Sequence, residues 1–204
     1  MIRFSETDGL AILTIDRQEK ANSLTRAMLR DLTGHLVGIA DRPETVRAVI
    51  LTGAGKVFSA GADLDEARAG LAIAPEWEAL SGQIAAMPCL TVAALNGTLA
   101  GGAFGMVLAC DLRVAAPAAR FFYPVMRLGF LPQPSDPPRM TRLIGPARTR
   151  MILMAGQKIE AAEALSWGLI DRIAEDPLDQ ARALAADCLA AAPRHVAAIK
   201  GMIG

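Results

Sequence analysis

Apolar and polar positions alternate over residues 2–4 and 11–15, with the turn-forming TDG between them, so the chain opens with two paired strands. In the next stretch, SLTRAMLRDLTGHLVGIAD, the period changes. Met28, Leu29, Leu32, Leu36 and Ile39 fall on one helical face, and Ser23 or Thr25 stands where an N-cap belongs. VRAVILTG (residues 46–53) predicts a buried strand ended by a glycine turn. ADLDEARAG predicts a short helix started by Asp63, and EWEALSGQIAAM a second helix closed by Pro88. The pattern then recurs as strand LTVAAL, a glycine turn, a helix, strand LRVAA and RFFY. Strand, turn and helix therefore follow one another twice, each time with glycines at the junction, which predicts an α/β fold with parallel pairing. From Arg139 the chain reads as helical, through RMTRLIGPARTRMILMAG, EAAEALSWG and PLDQARALAADCLAAAP, with the short strand LIDRIAE inside that part.

Composition narrows the class. At 204 residues, with no low-complexity linker, the chain reads as one domain over 1–204, divided into a core over 1–138 and a helical region over 139–204. It is 52% hydrophobic but only 4% aromatic, so the core must be built from Ala, Leu, Ile, Val and Met. The 21 basic and 21 acidic residues cancel and are interspersed, which argues against a nucleic-acid partner. Cys89, Cys110 and Cys188 are too few and too scattered for a disulfide framework or a zinc cluster, and no metal site is expected. The opening MIRFSETDGLAILTID lacks a basic-then-apolar leader, so a cytoplasmic protein is expected. From Gln83 to Cys110 no residue is charged, long enough on paper for a membrane span. Pro88, Asn96 and four glycines break that run, and a strand, a turn and a buried helix account for it better.

The chemistry is concentrated at two glycine junctions, VFSAGADLDE (57–66) and NGTLAGGAFG (96–105). Glycine inside regular structure costs roughly 0.5–1 kcal/mol relative to alanine, so such clusters need a physical reason. Either two backbones pass close together, or backbone N–H groups are left free to face a ligand. The first N–H groups of a helix have no intrahelical partner and carry the positive end of its dipole. One such donor from each junction, aimed at one point, would hold an anion or a developing oxyanion. On spacing alone both readings stand, and the glycines do not form the G-x-G-x-x-G dinucleotide pattern.

Several ordered motifs nevertheless resemble the crotonase (enoyl-CoA hydratase/isomerase) superfamily. GLAILTIDRQEKANSL is similar to its opening strand and N-A-L turn. VFSAGADLDE resembles its F-x-A-G-x-D-L block, NGTLAGGAFGMVLACDLRVA its glycine-rich block, and AARFFYPVMRLGFLP and EALSWGLIDRI its later segments. The resemblance implies a spiral of β-β-α repeats that binds an acyl-CoA thioester and stabilises its enolate. It implies a helical C-terminal part shorter than in relatives, a homotrimer or dimer of trimers, and no cofactor, coenzyme A entering as part of the substrate. By position, the N–H groups of Ala62 and Gly102 would form the oxyanion hole, with Gly101 and Gly102 letting the backbone approach the thioester. Ala60, Ala62 and Leu64 would line the adenine and pantetheine side, and Lys20 and Ala21 would border the other. Lys20 reads equally as a solvated turn lysine, and Asp63 as a helix cap or a ligand contact.

The sequence also departs from that family. Its hydratases resemble one another in handling water with two glutamates; the matching positions here hold Gly105 and Val125, and Gln133 stands where some members place Asp or Tyr. Syn-hydration is therefore disfavoured, and isomerisation or decarboxylation needs less acid–base help. YPVMRLG and GGAFGM resemble the decarboxylating branch, although its polar residues are absent at Ala62 and Gln133. Asp136, in LPQPSDPP, is the candidate acid or base if that loop overhangs the acyl pocket; otherwise it is a turn-forming Asp. Tyr123 could donate a hydrogen bond but reads first as part of a packed strand. His35 belongs to an amphipathic helix and His195 to the surface. The expected function is that of an enzyme acting on an acyl-CoA, the alternative being a subunit that binds acyl-CoA or serves structurally without turnover.

Overall fold

The computed structural model describes residues 1–203. Strands β1 (Ile2–Thr7) and β2 (Leu10–Ile15) form an antiparallel hairpin closed by Asp8 and Gly9. Both turn residues have positive φ, as a two-residue Asp-Gly hairpin demands. Helix α1 (Arg26–Ala40) follows. Its cap is Thr25, whose hydroxyl accepts the Met28 N–H at 3.2 Å, and it buries the five apolar residues that share its predicted face.

Three repeats come next, and they differ from the sequence expectation in one respect. Each is strand–strand–helix rather than strand–turn–helix. The first comprises β3 (Ala48–Gly53), β4 (Val57–Ser59), α2 (Leu64–Arg68) and α3 (Glu76–Ala85). The second comprises β5 (Leu90–Leu95), β6 (Thr98–Ala100) and α4 (Phe104–Leu108), the third β7 (Leu112–Ala115), β8 (Arg120–Phe122) and α5 (Val125–Leu128). The first strand of each repeat joins one sheet and the second joins another, so β3, β5 and β7 run parallel in the first while β4, β6 and β8 run parallel in the second. This is the β-β-α spiral that the resemblance implied.

Helix α6 (Asp136–Leu153) begins three residues earlier than the apolar pattern indicated and bends where Gly145, at φ 77°, precedes Pro146. The short β9 (Ile159–Glu160) closes the second sheet, and after α7 (Ala161–Trp167) the short β10 (Arg172–Ile173) closes the first. The first sheet is covered on both faces. Ala181 and Ala185 of α8 (Pro177–Ala190) pack on Ile50, Val92 and Val114, while the opposite face meets the larger core that includes α1, α3 and α4. That two-sided burial is why β3 and β5 read as unbroken apolar runs. Helix α9 (Pro193–Ile203) is tied down by Lys200, whose Nζ donates to Asp111 at 2.7 Å and to the Cys89 carbonyl at 2.8 Å. All three cysteines are free thiols, and among the described residues no group of His, Cys, Asp and Glu could hold a metal and no helix is long and apolar enough to cross a membrane.

Candidate active site

Because β4 and β6 are neighbours in a parallel ladder, with Val57 opposite Thr98 and Ser59 opposite Leu99, the chain leaves both strands side by side and in one direction. Each exit then turns into a helix. After β4 come Ala60, Gly61 and Ala62, then Asp63, which caps α2 by accepting the N–H groups of Asp65 at 3.1 Å and Glu66 at 3.3 Å. After β6, Gly101–Ala103 forms one turn of 3-10 helix leading into α4. The exits pack on each other. Gly61, at φ +91°, has no room for a Cβ beside the Ala100 carbonyl, 2.8 Å from the ideal position, with Gly101 Cα at 3.3 Å and the Gly102 nitrogen at 3.4 Å, and Gly101 also sits at positive φ.

Hydrogen bonds engage most of the amides around this contact. Ala60 N–H donates to Ala21 O at 3.0 Å, Leu24 N–H to Gly61 O at 2.7 Å and Asp63 N–H to Leu24 O at 2.9 Å. The N–H groups of Ala62 and Gly102 have no acceptor among the described residues. Both explanations for the glycines find a place here: the close approach is at Gly61, the positive φ at Gly61 and Gly101, and the free donor at Gly102.

Ala62 and Gly102 both line one cavity of about 260 Å³. Ala60, Leu64 and Gly101 stand on the same wall. Trp77, Tyr123, Val125, Leu128, Phe130 and Leu131 supply most of the rest, and Gln133 adds a polar group. Trp77 is fixed by its indole N–H, which donates to Leu71 O at 2.8 Å, and its ring lies 3.2 Å from where Gly102 would carry a Cβ. Gln133 donates to the Ala72 carbonyl at 3.0 Å, so the loop after α5 and the one before α3 are tied across the cavity. Lys20, Ala21 and Asp63 stand outside the lining. Lys20 and Ala21 are exposed on a turn held against Ala60, whereas Asp63 is buried and paired with Arg17 at 2.7 Å. That pairing, with the Asp65 and Glu66 amides, holds its carboxyl below the ordinary range. Of its two sequence readings, the helix cap is the observed one.

Asp136 departs from expectation. It does not overhang the pocket from a loop; it is the first residue of α6, fully buried, and lies behind Tyr123 rather than in the cavity wall. The reason is the two prolines that follow it, which suit the first turn of a helix, where no N–H is needed. Tyr123 O–H donates to Asp136 Oδ2 at 2.8 Å, and the tyrosine ring is stacked on Phe104 with centroids 5.4 Å apart. Asp136 Oδ1 has no hydrogen-bond partner and lies 2.9 Å from the position a Cβ on Gly105 would take. Burial pushes the Asp136 carboxyl up to about 7. Glu78 adds to the rise, while the Tyr123 hydrogen bond and Arg139 pull the other way. The same burial, with Asp136 alongside, drives the Tyr123 phenol well above its usual range.

Tyr123, which the sequence reads first as strand packing, and Trp77, which it does not single out, are the lining residues whose place the sequence leaves open. The available signal for the first was a lone tyrosine directly before a proline; for the second, a tryptophan in the first turn of a short helix. The histidines stay out of the site: His35 stacks on Phe4 at 4.7 Å, and His195 is exposed on α9.

Known proteins match the chain in sequence and in fold. The family model for enoyl-CoA hydratase/isomerase matches residues 5–203. A probable enoyl-CoA hydratase of Mycobacterium bovis is 35% identical over 182 residues, covering 86% of this chain and 70% of its own. A carnitinyl-CoA dehydratase of Citrobacter koseri is 34% identical over 208 residues, covering 98% of this chain and 78% of its own. The crystal structure of an enoyl-CoA hydratase from Bacillus anthracis superposes with a TM-score of 0.91 at 30% identity, covering 99% of this chain and 81% of that one. With its fold and its motifs both matched along nearly the whole length, the chain belongs to the enoyl-CoA hydratase/isomerase family, and its fold is the crotonase fold.

Proposed function

We propose that the chain is an enzyme that binds an acyl-CoA thioester, holds the thioester oxygen between the N–H groups of Ala62 and Gly102, and stabilises the enolate formed there. The observation that carries this reading is the pair of unpartnered amides at adjacent strand exits, belonging to two residues that line one apolar cavity. Preorganised donors in a water-poor site typically contribute a few kcal/mol each to an oxyanion-like transition state. Ala60 and Leu64 lie along the nucleotide side, and the exposed Lys20 and Ala21 border it across the Ala60–Ala21 hydrogen bond. Coenzyme A arrives as part of the substrate and no further cofactor is needed. The working form is a homotrimer or dimer of trimers in the cytoplasm.

Hydration needs a placed water with acid and base on either side of it. Position 105 is glycine here and position 125 is valine, which favours double-bond isomerisation or decarboxylation of a malonyl-type thioester. Asp136, which meets the cavity only through Tyr123, is the carboxylate that stores the proton. The same two absences favour a second reading, an acyl-CoA-binding subunit without turnover. Calorimetric titration with crotonyl-, 3-enoyl- and methylmalonyl-CoA, followed by assays of absorbance change and released CO₂, separates the two. Turnover of the 3-enoyl or malonyl-type thioester supports the enzyme, binding alone supports the subunit, and binding of none removes both.

A further inference from the structure

Asp136 is the only acidic side chain among the described residues with a buried, unpartnered oxygen. Two structural carboxylates in the same molecule each accept three hydrogen bonds. Asp111 accepts from the Thr91 amide, the Thr91 hydroxyl and Lys200, and Asp63 from Arg17 and two helix amides. A buried carboxylate left half-satisfied is costly and calls for an explanation. The single bond that Asp136 does make leads to Tyr123, and Tyr123 lines the cavity. Apart from Arg68, which is exposed and paired with Asp65, no other titratable side chain lines that space.

We propose that Tyr123 is the catalytic residue that exchanges a proton with the bound acyl group, and that Asp136 acts through it as the positioning and proton-storing partner. This rests on the acyl-CoA reading above. In the forward direction the C–H bond beside the thioester carbonyl breaks, and its electron pair enters the enolate held at Ala62 and Gly102. The proton passes to the Tyr123 oxygen as the tyrosine's own proton passes to Asp136 Oδ2. Tyr123 ends neutral, Asp136 neutral, and the negative charge has moved from the carboxylate to the enolate. The return of a proton to carbon runs the same bonds in reverse, and it serves isomerisation and the quenching of a decarboxylation enolate alike. The stacked Phe104 holds the phenol ring in plane for this exchange. Burial, helped by Glu78 from α3 and opposed by the Tyr123 hydrogen bond and Arg139 from α6, makes Asp136 change charge near neutral pH.

The test is exchange of the α-protons of butyryl-CoA in D₂O, followed by NMR, with binding measured in parallel. The wild-type chain is expected to bind and to exchange, with a rate that rises with pH through an inflection near neutrality. Tyr123→Phe and Asp136→Asn are each expected to keep binding within a few-fold and to lose about 10²-fold or more in exchange. The chain has one tyrosine, so biosynthetic replacement by fluorotyrosine alters only this phenol. It leaves the shape intact, makes the phenol more acidic, and must shift the rate–pH profile, a readout that a purely structural tyrosine would not move. Exchange at the wild-type rate in Tyr123→Phe, or a profile unchanged by fluorination, overturns the relay. Binding without exchange in the wild type overturns it while leaving the binding reading intact. No binding of butyryl-CoA removes both.

Discussion

Asp136 fills the space that residue 105 leaves: its Oδ1 lies 2.9 Å from where a Cβ on Gly105 would stand, while Oδ2 is held by Tyr123. The glycine in α4 and the carboxylate from α6 are two halves of one fit. Gly105→Ala should therefore turn or expel the carboxylate and destabilise the protein by about 1–3 kcal/mol, the usual range for overpacking. In an Asp136→Ala background the same substitution should instead stabilise by up to about 1 kcal/mol, through helix propensity alone. Urea denaturation of the four proteins measures this sign reversal, and additive effects would show that the two positions do not interact.

The raised pKa of Asp136 has a definite sign in stability. Between the ordinary 3.8 and about 7 the folded chain keeps a proton that the unfolded chain has lost, so stability falls as pH rises through that window. The shift corresponds to a cost on the order of 4 kcal/mol, complete above the window and absent below it. Asp136→Asn, which cannot ionise, should be more stable than wild type at pH 8 and about equal to it at pH 4. Paired denaturation curves at the two pH values decide it; equal stabilities at pH 8 would mean that the carboxylate is solvated.

Asp63 and Arg17 hold the neighbourhood of Ala62 in place, since Asp63 caps α2 and follows Ala62 directly. Asp63→Ala should cost about 1–2 kcal/mol from the lost cap alone. Its folded pKa is depressed, so the contribution is present above the ordinary carboxylate range and fades as pH falls through the lowered value. Thermal melts from pH 7 down to pH 2 should show wild type and Asp63→Ala converging at the acid end.

Trp77 bounds the cavity beneath Gly102. Trp77→Ala should destabilise by about 3–5 kcal/mol, the range for emptying a large aromatic from a core. Trp77→Phe gives up the bond to Leu71 O but keeps most of the volume, and should shift acyl preference toward longer chains. Calorimetric titration with C4 to C10 acyl-CoA thioesters measures that preference. An unchanged chain-length profile in Trp77→Phe would place the acyl group elsewhere.

Much of this molecule is legible in its sequence, and the exceptions have physical causes. The five buried residues of α1, the Asp63 cap and the parallel strands β3, β5 and β7 all follow from periodicity and burial. Strands β4 and β6 do not, because three residues are too short to show a period and their glycine exits read as turns. The junctions carrying Ala62 and Gly102 are visible as glycine clusters, but their adjacency depends on the β4–β6 pairing, a contact between residues about forty apart. The place of Asp136 is hidden because LPQPSDPP has the composition of a loop, although the two prolines after it belong to the first turn of α6. Tyr123 lay hidden at the end of a strand, since nothing local tells which way a ring faces.

The ladder that sets β4 beside β6 and β8 also decides what kind of change can erase the site. Adjacent strands stand about 4.8 Å apart, and the chain exits them in step, so the spacing of the exits is inherited from backbone pairing and not from side-chain identity. In the role proposed for position 62 it is the peptide unit that acts, and serine or valine would present the same hydrogen as alanine. Proline alone among the twenty has none to present. On that proposal, descent within such a scaffold can rewrite the visible letters of the site while its operative atoms stay unaltered.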